Sequence, residues 1–285
     1  MKLSIITDEM TQDLDEAIRF AQTFHLNGLE LRTIDGQPLE ALSEKRLAEI
    51  RHICHEEGLE ICNLASSFFK CSYSQVQREK EIEKLKRLLQ AAHIVECQTL
   101  RGFAFFYEEN VPQEQIASTF EKPLALLKDA GKQLLLESDP SVMTTNHRAL
   151  RHLLDTINQP EWIGAIFDPG NDIYDPQGEI PYPDGFLQIQ PYVKHIHIKD
   201  AVLTPEGPTC VCIGTGQVDY AGILDALLAS GYNGYLSLEN HYRKGRTIDE
   251  AQMKRPGGAD FSDGGAEAAA ESMAALQRML KERRG

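Results

Sequence analysis

The sequence predicts one closed α/β barrel of eight parallel strands, a (β/α)8 fold spanning residues 1–285. Three observations carry this. Eight short β-rich runs alternate with about eight helical stretches, and such alternation implies a parallel sheet. The 285 residues, 42% hydrophobic and 25% charged, suit an eight-unit barrel in one domain better than an open sheet. No Gly-x-Gly-x-x-Gly follows a strand to open a helix; Gly214-Thr215-Gly216 is only a Gly-x-Gly in a loop.

Leu3 to Thr7 is the first strand, followed by a helix from Asp13 to Phe24 with Leu14, Ala17, Ile18 and Ala21 at helical spacing. Asn27-Gly28 stops it. In the second strand, Gly28 to Arg32, Leu29 and Leu31 share one face and Glu30 and Arg32 the other. A helix from Ser43 to Gly58 leads to strand three, Leu59 to Ala65, and Glu79 to His93 forms a charged helix with an apolar stripe. Thr99 to Phe106 is strand four. Gln113 to Asp129 is a helix started or kinked near Pro123. Lys132 to Glu137 is strand five, Thr144 to Ile157 a helix, and Trp162 to Asp168 strand six. A Gly/Pro/Asp-rich stretch, 169–185, precedes a short helix at Leu187 to Pro191. Strand seven, Val193 to Asp200, sets His195, His197 and Lys199 on one face and Ile196 and Ile198 on the other. Its polar face reads either as one side of an edge strand or as part of a site. Pro205 to Gly216 reads as loop, Asp219 to Ser230 as helix, and Gly234 to Glu239 as strand eight. A basic loop leads to a closing helix, Gly265 to Arg284, whose terminal Lys281, Arg283 and Arg284 suit the helix dipole.

The charge balance excludes some partners. A net charge of −14 repels phosphate backbones, so nucleic acid is not expected. No run of about 18 apolar residues exists to span a membrane, and the N-terminus lacks the apolar segment of a signal peptide. Cys54, Cys62, Cys71, Cys97, Cys210 and Cys212 form no Cys-x-x-Cys pair and read as reduced thiols of a cytoplasmic protein.

In a (β/α)8 barrel the active site lies at the C-terminal ends of the strands. Glu137, Asp168, His197 and Glu239 sit there, on strands five to eight. Barrel closure brings the three carboxylates together. Two charges about 4 Å apart repel by about 4 kcal/mol at an effective dielectric of 20. Raised pKa values relieve this partly and a divalent cation more fully. Three carboxylates and one imidazole favour Mn²⁺, Mg²⁺ or Co²⁺, with Zn²⁺ also compatible. A cation chelated by a carbonyl and the adjacent hydroxyl polarises the carbonyl and stabilises an enediolate, while one carboxylate removes the neighbouring proton and another returns one. Departure of a β-hydroxyl would make the same apparatus a dehydratase. Arg32, Lys70 and Lys199 could bind hydroxyls or a phosphate, His195 could support His197, and His241 could face the cavity; each is also readable as an ordinary rim, strand or loop residue.

Several stretches resemble the xylose isomerase-like TIM-barrel superfamily, specifically its sugar phosphate isomerase/epimerase group. They are GLELR (28–32), ASSFFK (65–70), LLLESDPS (134–141), FDPGN (167–171), VKHIHIKDA (193–201), IGTGQVDY (213–220) and GYNGYLSLENH (231–241), in family order over nearly the whole chain. The resemblance implies that Glu137, Asp168, His197 and Glu239 hold the metal and that Glu137 and Glu239 also act as the acid/base pair. It further implies a small sugar or sugar-derived substrate and is compatible with a homodimer. Two departures stand out. Asn171, which can still hydrogen-bond a substrate hydroxyl, replaces the His that related ketose epimerases place three residues after the strand-six Asp. Ser138-Asp139-Pro140 replaces their Asn-Glu-Pro.

Three rival activities follow. A phosphodiester hydrolase like endonuclease IV needs histidines that this chain lacks, with Asn171 after Asp168 and Pro208-Thr209-Cys210 where Asp-x-His is expected. A lyase acting on an inosose or dehydroshikimate is compatible with every motif. A barrel that binds sugars without turnover is disfavoured by the full ligand set.

Overall fold

The computed structural model describes residues 1–254 and 256–283. Eight parallel strands form one sheet: β1 Lys2–Ile5, β2 Gly28–Leu31, β3 Glu60–Phe68, β4 Thr99–Gly102, β5 Gln133–Glu137, β6 Ile163–Phe167, β7 Val193–Ile198 and β8 Tyr235–Leu238. Their order around the sheet is β1-β8-β7-β6-β5-β4-β3-β2. The seam between β1 and β2 is narrow. A single parallel bridge joins Ile6 to Glu30, and the Leu3 backbone both donates to Asn27 Oδ1 and accepts from Asn27 N. The sheet is thus a nearly closed barrel ringed by helices, the expected fold.

Each strand is apolar outward because the helices need a partner there. Leu29, Leu31, Ile196, Ile198, Leu236 and Leu238 are all buried in the core shared with the helices. Burying such a side chain stabilises by about 1.5–3 kcal/mol. Helices begin at side-chain caps: Asp13 accepts from Glu16 N, Ser43 from Arg46 N, Ser74 from Gln77 N and Asn146 from Ala149 N. Each cap satisfies an otherwise unpaired N–H, worth about 1 kcal/mol. Gly131, at φ 64°, ends the helix before β5 in the left-handed region.

The inward face differs from the usual Val/Ile/Leu filling of such barrels. It carries Ser4, Glu30, Asn63, Arg101, Glu137, His195, His197 and Ser237, every one of them buried. Register lines them up: Glu30 is level with Asn63, and Ser237 with both Ser4 and His197.

Several boundaries depart from expectation. Strand β7 lies inside the sheet, between β6 and β8, so the edge-strand reading fails. Strand β3 runs on through Phe68, whereas β4 stops at Gly102. The helix expected at Gln113 to Asp129 is two, Gln113–Ser118 and Glu121–Ala130, with Pro123 in the first turn of the second, where its missing N–H costs nothing. Pro205 to Gly216 is only partly loop: Gly207–Val211 pairs antiparallel with Asp200–Thr204. Asp200 then gathers the backbone N–H groups of Ala201, Gly214, Gly216 and Val218. A Cβ on Gly216 would lie 2.1 Å from Asp200 Oδ1, so this wrap requires glycine. A second small hairpin, Thr33–Ile34 with Gln37–Pro38, follows β2. The closing helix spans Gly265–Glu282, and Arg284 lies outside the described residues.

Candidate active site

Glu137 ends β5, Asp168 follows β6, His197 lies near the end of β7 and Glu239 follows β8. Consecutive parallel strands therefore deliver four side chains to one end of the barrel. Each offers a ligand atom within 4.8 Å of the others, and all four are buried. Asp168 is held by its own turn, its Oδ1 accepting from Gly170 N at 2.9 Å. Over them opens a cavity of about 1040 Å³ lined by Arg32, Lys70, Arg101, Glu137, Asn171, Lys199, Glu239 and His241, among others.

Two cations reach into the carboxylates. Arg101 Nη1 donates to Glu137 Oε2 and to Glu239 Oε1, each at 3.0 Å. Its remaining donors are fixed on Ser66 O and Ala65 O. Lys199 Nζ lies 2.6 Å from Glu239 Oε2 and 2.5 Å from Asp168 Oδ2. Burial alone would raise the Glu137 carboxyl, but Arg101 and His197 outweigh it and hold that carboxyl low. Lys199, His241 and His197 do the same, more strongly, for Glu239. At Asp168 burial wins over Lys199, and with Glu239 and Glu137 nearby the carboxyl is pushed up to about 7.

Beneath the cavity, Glu30 accepts from Asn63 Nδ2 at 2.7 Å and faces His195 Nε2 at 2.8 Å and His197 Nε2 at 3.1 Å. His197 Nδ1 lies 2.7 Å from Glu137 Oε1. Glu30 thus faces Nε2 of His197 while Nδ1 faces the carboxylates, the way carboxylates orient metal-binding imidazoles. Burial opposes charge on His197, yet Glu30 and Glu137 raise its pKa well above the ordinary value.

On the wall, Arg32 pairs with Asp8 and Glu9 at 2.9 and 2.7 Å and stacks on Phe261. Its Nη1 is buried without a hydrogen bond, 3.6 Å from Glu239 Oε1. His241 Nε2 stands 3.3 Å from Glu9 Oε1 and 3.9 Å from the same Glu239 oxygen. Lys70 lies further round the wall, paired with Asp139 at 2.7 Å over the Phe103 ring. Asn171 lines the cavity but donates to Ser138 O.

The structure therefore brings together Glu137, Asp168, His197, Glu239 and Lys199, with Arg32 and His241 beside Glu239, and places Lys70 and Asn171 apart. His195, expected to support His197 or to meet substrate, shares Glu30 with His197, its Nε2 2.8 Å from that carboxylate. Sequence reasoning missed Arg101, Asp8 and Glu9, and gave Glu30 no role. The available signal was charge inside apolar strands, Arg101 in TLRG and Glu30 in GLEL.

The residues fit a divalent cation. One imidazole and three carboxylates converge, a donor set suited to such ions. Around it six buried carboxylates, Asp8, Glu9, Glu30, Glu137, Asp168 and Glu239, meet three permanent cations, Arg32, Arg101 and Lys199. That excess of negative charge is what a divalent ion would relieve.

Similar folds are known. The "1.8 A Crystal structure of IOLI protein with a binding zinc atom" has TM-score 0.74 and 16% identity, covering 99% of each chain. The probable 3-DHS dehydratase AsbF of Bacillus anthracis has TM-score 0.73 and 18% identity, over 97% of this chain and 99% of that one. A D-tagatose 3-epimerase-like protein has TM-score 0.73 and 18% identity, over 99% of this chain and 97% of that one. No curated protein matches the chain by sequence. The family model described as "Xylose isomerase-like TIM barrel" matches residues 18–279, so the chain belongs to the xylose isomerase-like TIM-barrel family.

Proposed function

We propose that this protein is a metal-dependent isomerase or epimerase of a small sugar or sugar derivative. The observation that carries the reading is the convergence of Glu137, Asp168, His197 and Glu239 under a large cavity at the C-terminal end of the barrel. These four side chains would hold one divalent cation, and the two solved relatives named for an epimerase and for bound zinc support the reading. When bound, the cation supplies polarisation of a substrate carbonyl and charge stabilisation of the enediolate. The chain's own residues do the rest. Glu137 and Glu239 flank the reacting carbons, one taking the proton next to the carbonyl and the other returning one. Arg101 aligns both carboxylates. Arg32 Nη1 offers a free donor to a substrate oxygen on the Glu239 side, with His241 beside it.

A second reading is a dehydratase on the same site. It is favoured by His241, whose Nε2 stands 3.3 Å from Glu9 and 3.9 Å from Glu239, where a proton shared with Glu9 could pass to a leaving hydroxyl. The similarity to a probable dehydratase agrees with it.

The test is metal content of the wild type and of His197→Ala, followed by a panel of ketoses and keto-polyols in D₂O. We expect about one ion per chain to be lost in the variant, and solvent deuterium to enter the substrate. Loss of one water by mass selects the dehydratase. Glu239→Gln should fold and lose turnover; activity within tenfold of wild type would remove Glu239 from the acid/base role.

A further inference from the structure

Outside this site the chain builds a second group of metal-type donors. His147 opens the helix His147–Ile157, Asp172 ends the short helix Pro169–Asp172, and Glu179 follows in the next loop. One atom from each lies within 4.8 Å of the other two, and all three residues are buried. His147 Nδ1 is 2.8 Å from Asp172 Oδ2 and 3.7 Å from Glu179 Oε2. Glu179 is fixed in place by accepting from the backbone N–H groups of His147 and Arg148.

Buried oxygens without partners point to a ligand. Asp172 Oδ1 and Asp175 Oδ1 are buried without any hydrogen-bond partner. Because Asp172 Oδ2 already meets His147, its orphan oxygen belongs to the same cluster.

Charge gives the same answer. Asp172 and Glu179 flank one imidazole, and Asp175, which accepts from Asn146 Nδ2 and Glu179 N, adds a third carboxylate near Asp172. Among the described residues, the permanent cation in reach is Arg148, 4.0 Å from Glu179 Oε1 and largely in solvent. An imidazolium would neutralise one carboxylate of three, and a buried charge left unpaired is destabilising.

We propose that His147, Asp172 and Glu179 bind a second divalent cation of the Mn²⁺ or Zn²⁺ kind, with Asp175 in support. An imidazole among carboxylates favours these ions over Ca²⁺ or Mg²⁺. The ion fastens the 169–185 segment to the start of the His147–Ile157 helix. That segment carries Asn171 and Tyr174 of the cavity wall, so the ion holds the wall without touching the reacting atoms.

The experiment strips the full chain with a chelator, dialyses it against Mn²⁺ and counts manganese per chain. Wild type is expected to hold two, Asp172→Asn one, His197→Ala one, and the double variant none. Asp172→Asn is nearly isosteric, and circular dichroism checks its fold. As a second readout, Mn²⁺ should raise the Tm of His197→Ala but not that of the double variant. Manganese in Asp172→Asn equal to wild type overturns the proposal. A single ion lost in His197→Ala but kept in Asp172→Asn also overturns it, and leaves the first site standing. A single ion lost in Asp172→Asn but kept in His197→Ala supports it and removes the first.

Discussion

Replacing Arg101 by Met tests whether the guanidinium holds the two glutamates. Its Nη1 is 3.0 Å from Glu137 Oε2 and 3.0 Å from Glu239 Oε1, and both ion pairs are buried. At an effective dielectric of 20, each pair at this distance is worth about 5 kcal/mol of Coulomb energy, much of it spent on desolvating the charges. Removing one partner from such a buried set costs about 3–5 kcal/mol, because the remaining charges stay unpaired. At roughly 2 °C per kcal/mol for a chain of this size, the Tm of chelated protein falls by about 6–10 °C. Excess Mn²⁺ should return part of the loss, since the cation compensates the same carboxylates. Arg101→Lys should fall between, keeping the charge while losing the donations to Ser66 O and Ala65 O. Thermal melts of chelated and Mn²⁺-loaded protein measure this. A chelated Arg101→Met protein melting within 2 °C of wild type would show that the guanidinium does not hold the carboxylates together.

Glu30→Gln removes the acceptor that fixes His197, and metal affinity should fall about 10–100-fold, as when outer partners of metal ligands are changed; titration with Mn²⁺ reads it, and unchanged affinity would remove Glu30 from the site. The pH dependence has a definite sign. Asp168, pushed up to about 7, and His197, raised well above 6.5, both bind protons more tightly when folded. Their contribution is therefore full below the unfolded pKa values and is lost as pH rises through the folded ones. Chelated protein should melt higher at pH 5.5 than at pH 8, with a slope of up to about 1.4 kcal/mol per pH unit for each proton. Mn²⁺ should flatten the slope by taking the place of the protons. A flat profile without metal would contradict the assignment.

The fold was legible because the outward faces obey one rule. Leu29 and Leu31, Ile196 and Ile198, Leu236 and Leu238 alternate with polar residues, and a period of two survives any tertiary context. The four strand-end residues were legible for a related reason, since a carboxylate closing an apolar run has little structural work there. Arg101 was hidden because a single basic residue in TLRG shows nothing of its reach across the barrel to a glutamate 138 positions away. Asp8 and Glu9 were hidden because they lie on a one-turn helix, Thr7–Glu9, that leaves no periodicity to read. The strand Gly207–Val211 fell inside the stretch read as loop, Pro205 to Gly216, whose Gly and Pro also suit tight turns between paired strands.

Charge pairing on the cavity wall bears on whether the substrate carries a phosphate. A phosphate subsite needs cations free to turn toward it. Here Arg32 is held by Asp8 and Glu9, Lys70 by Asp139, Arg101 by Glu137 and Glu239, and Lys199 by Asp168 and Glu239. Lys84 lies 3.6 Å from Glu81 and donates to Ser67 Oγ, and Arg246 faces Asp263. A phosphate on Lys70 would break a buried pair and set a dianion beside Asp139. Losing such a pair costs about 3–5 kcal/mol, more than one charge-assisted contact returns. Lys254 stands in the lining as an exposed side chain, and a single exposed ammonium is weak discrimination. The free donor of the wall, Arg32 Nη1, lies instead beside Glu239, where a hydroxyl or carbonyl oxygen suits it. The expected substrate is therefore uncharged, and kcat/KM for a keto sugar should exceed that for its phosphate ester at least tenfold. Millimolar inorganic phosphate should not compete with it. A phosphate ester turned over faster than the free sugar would mean that the Lys70–Asp139 pair opens on binding and that its closed geometry misstates the site.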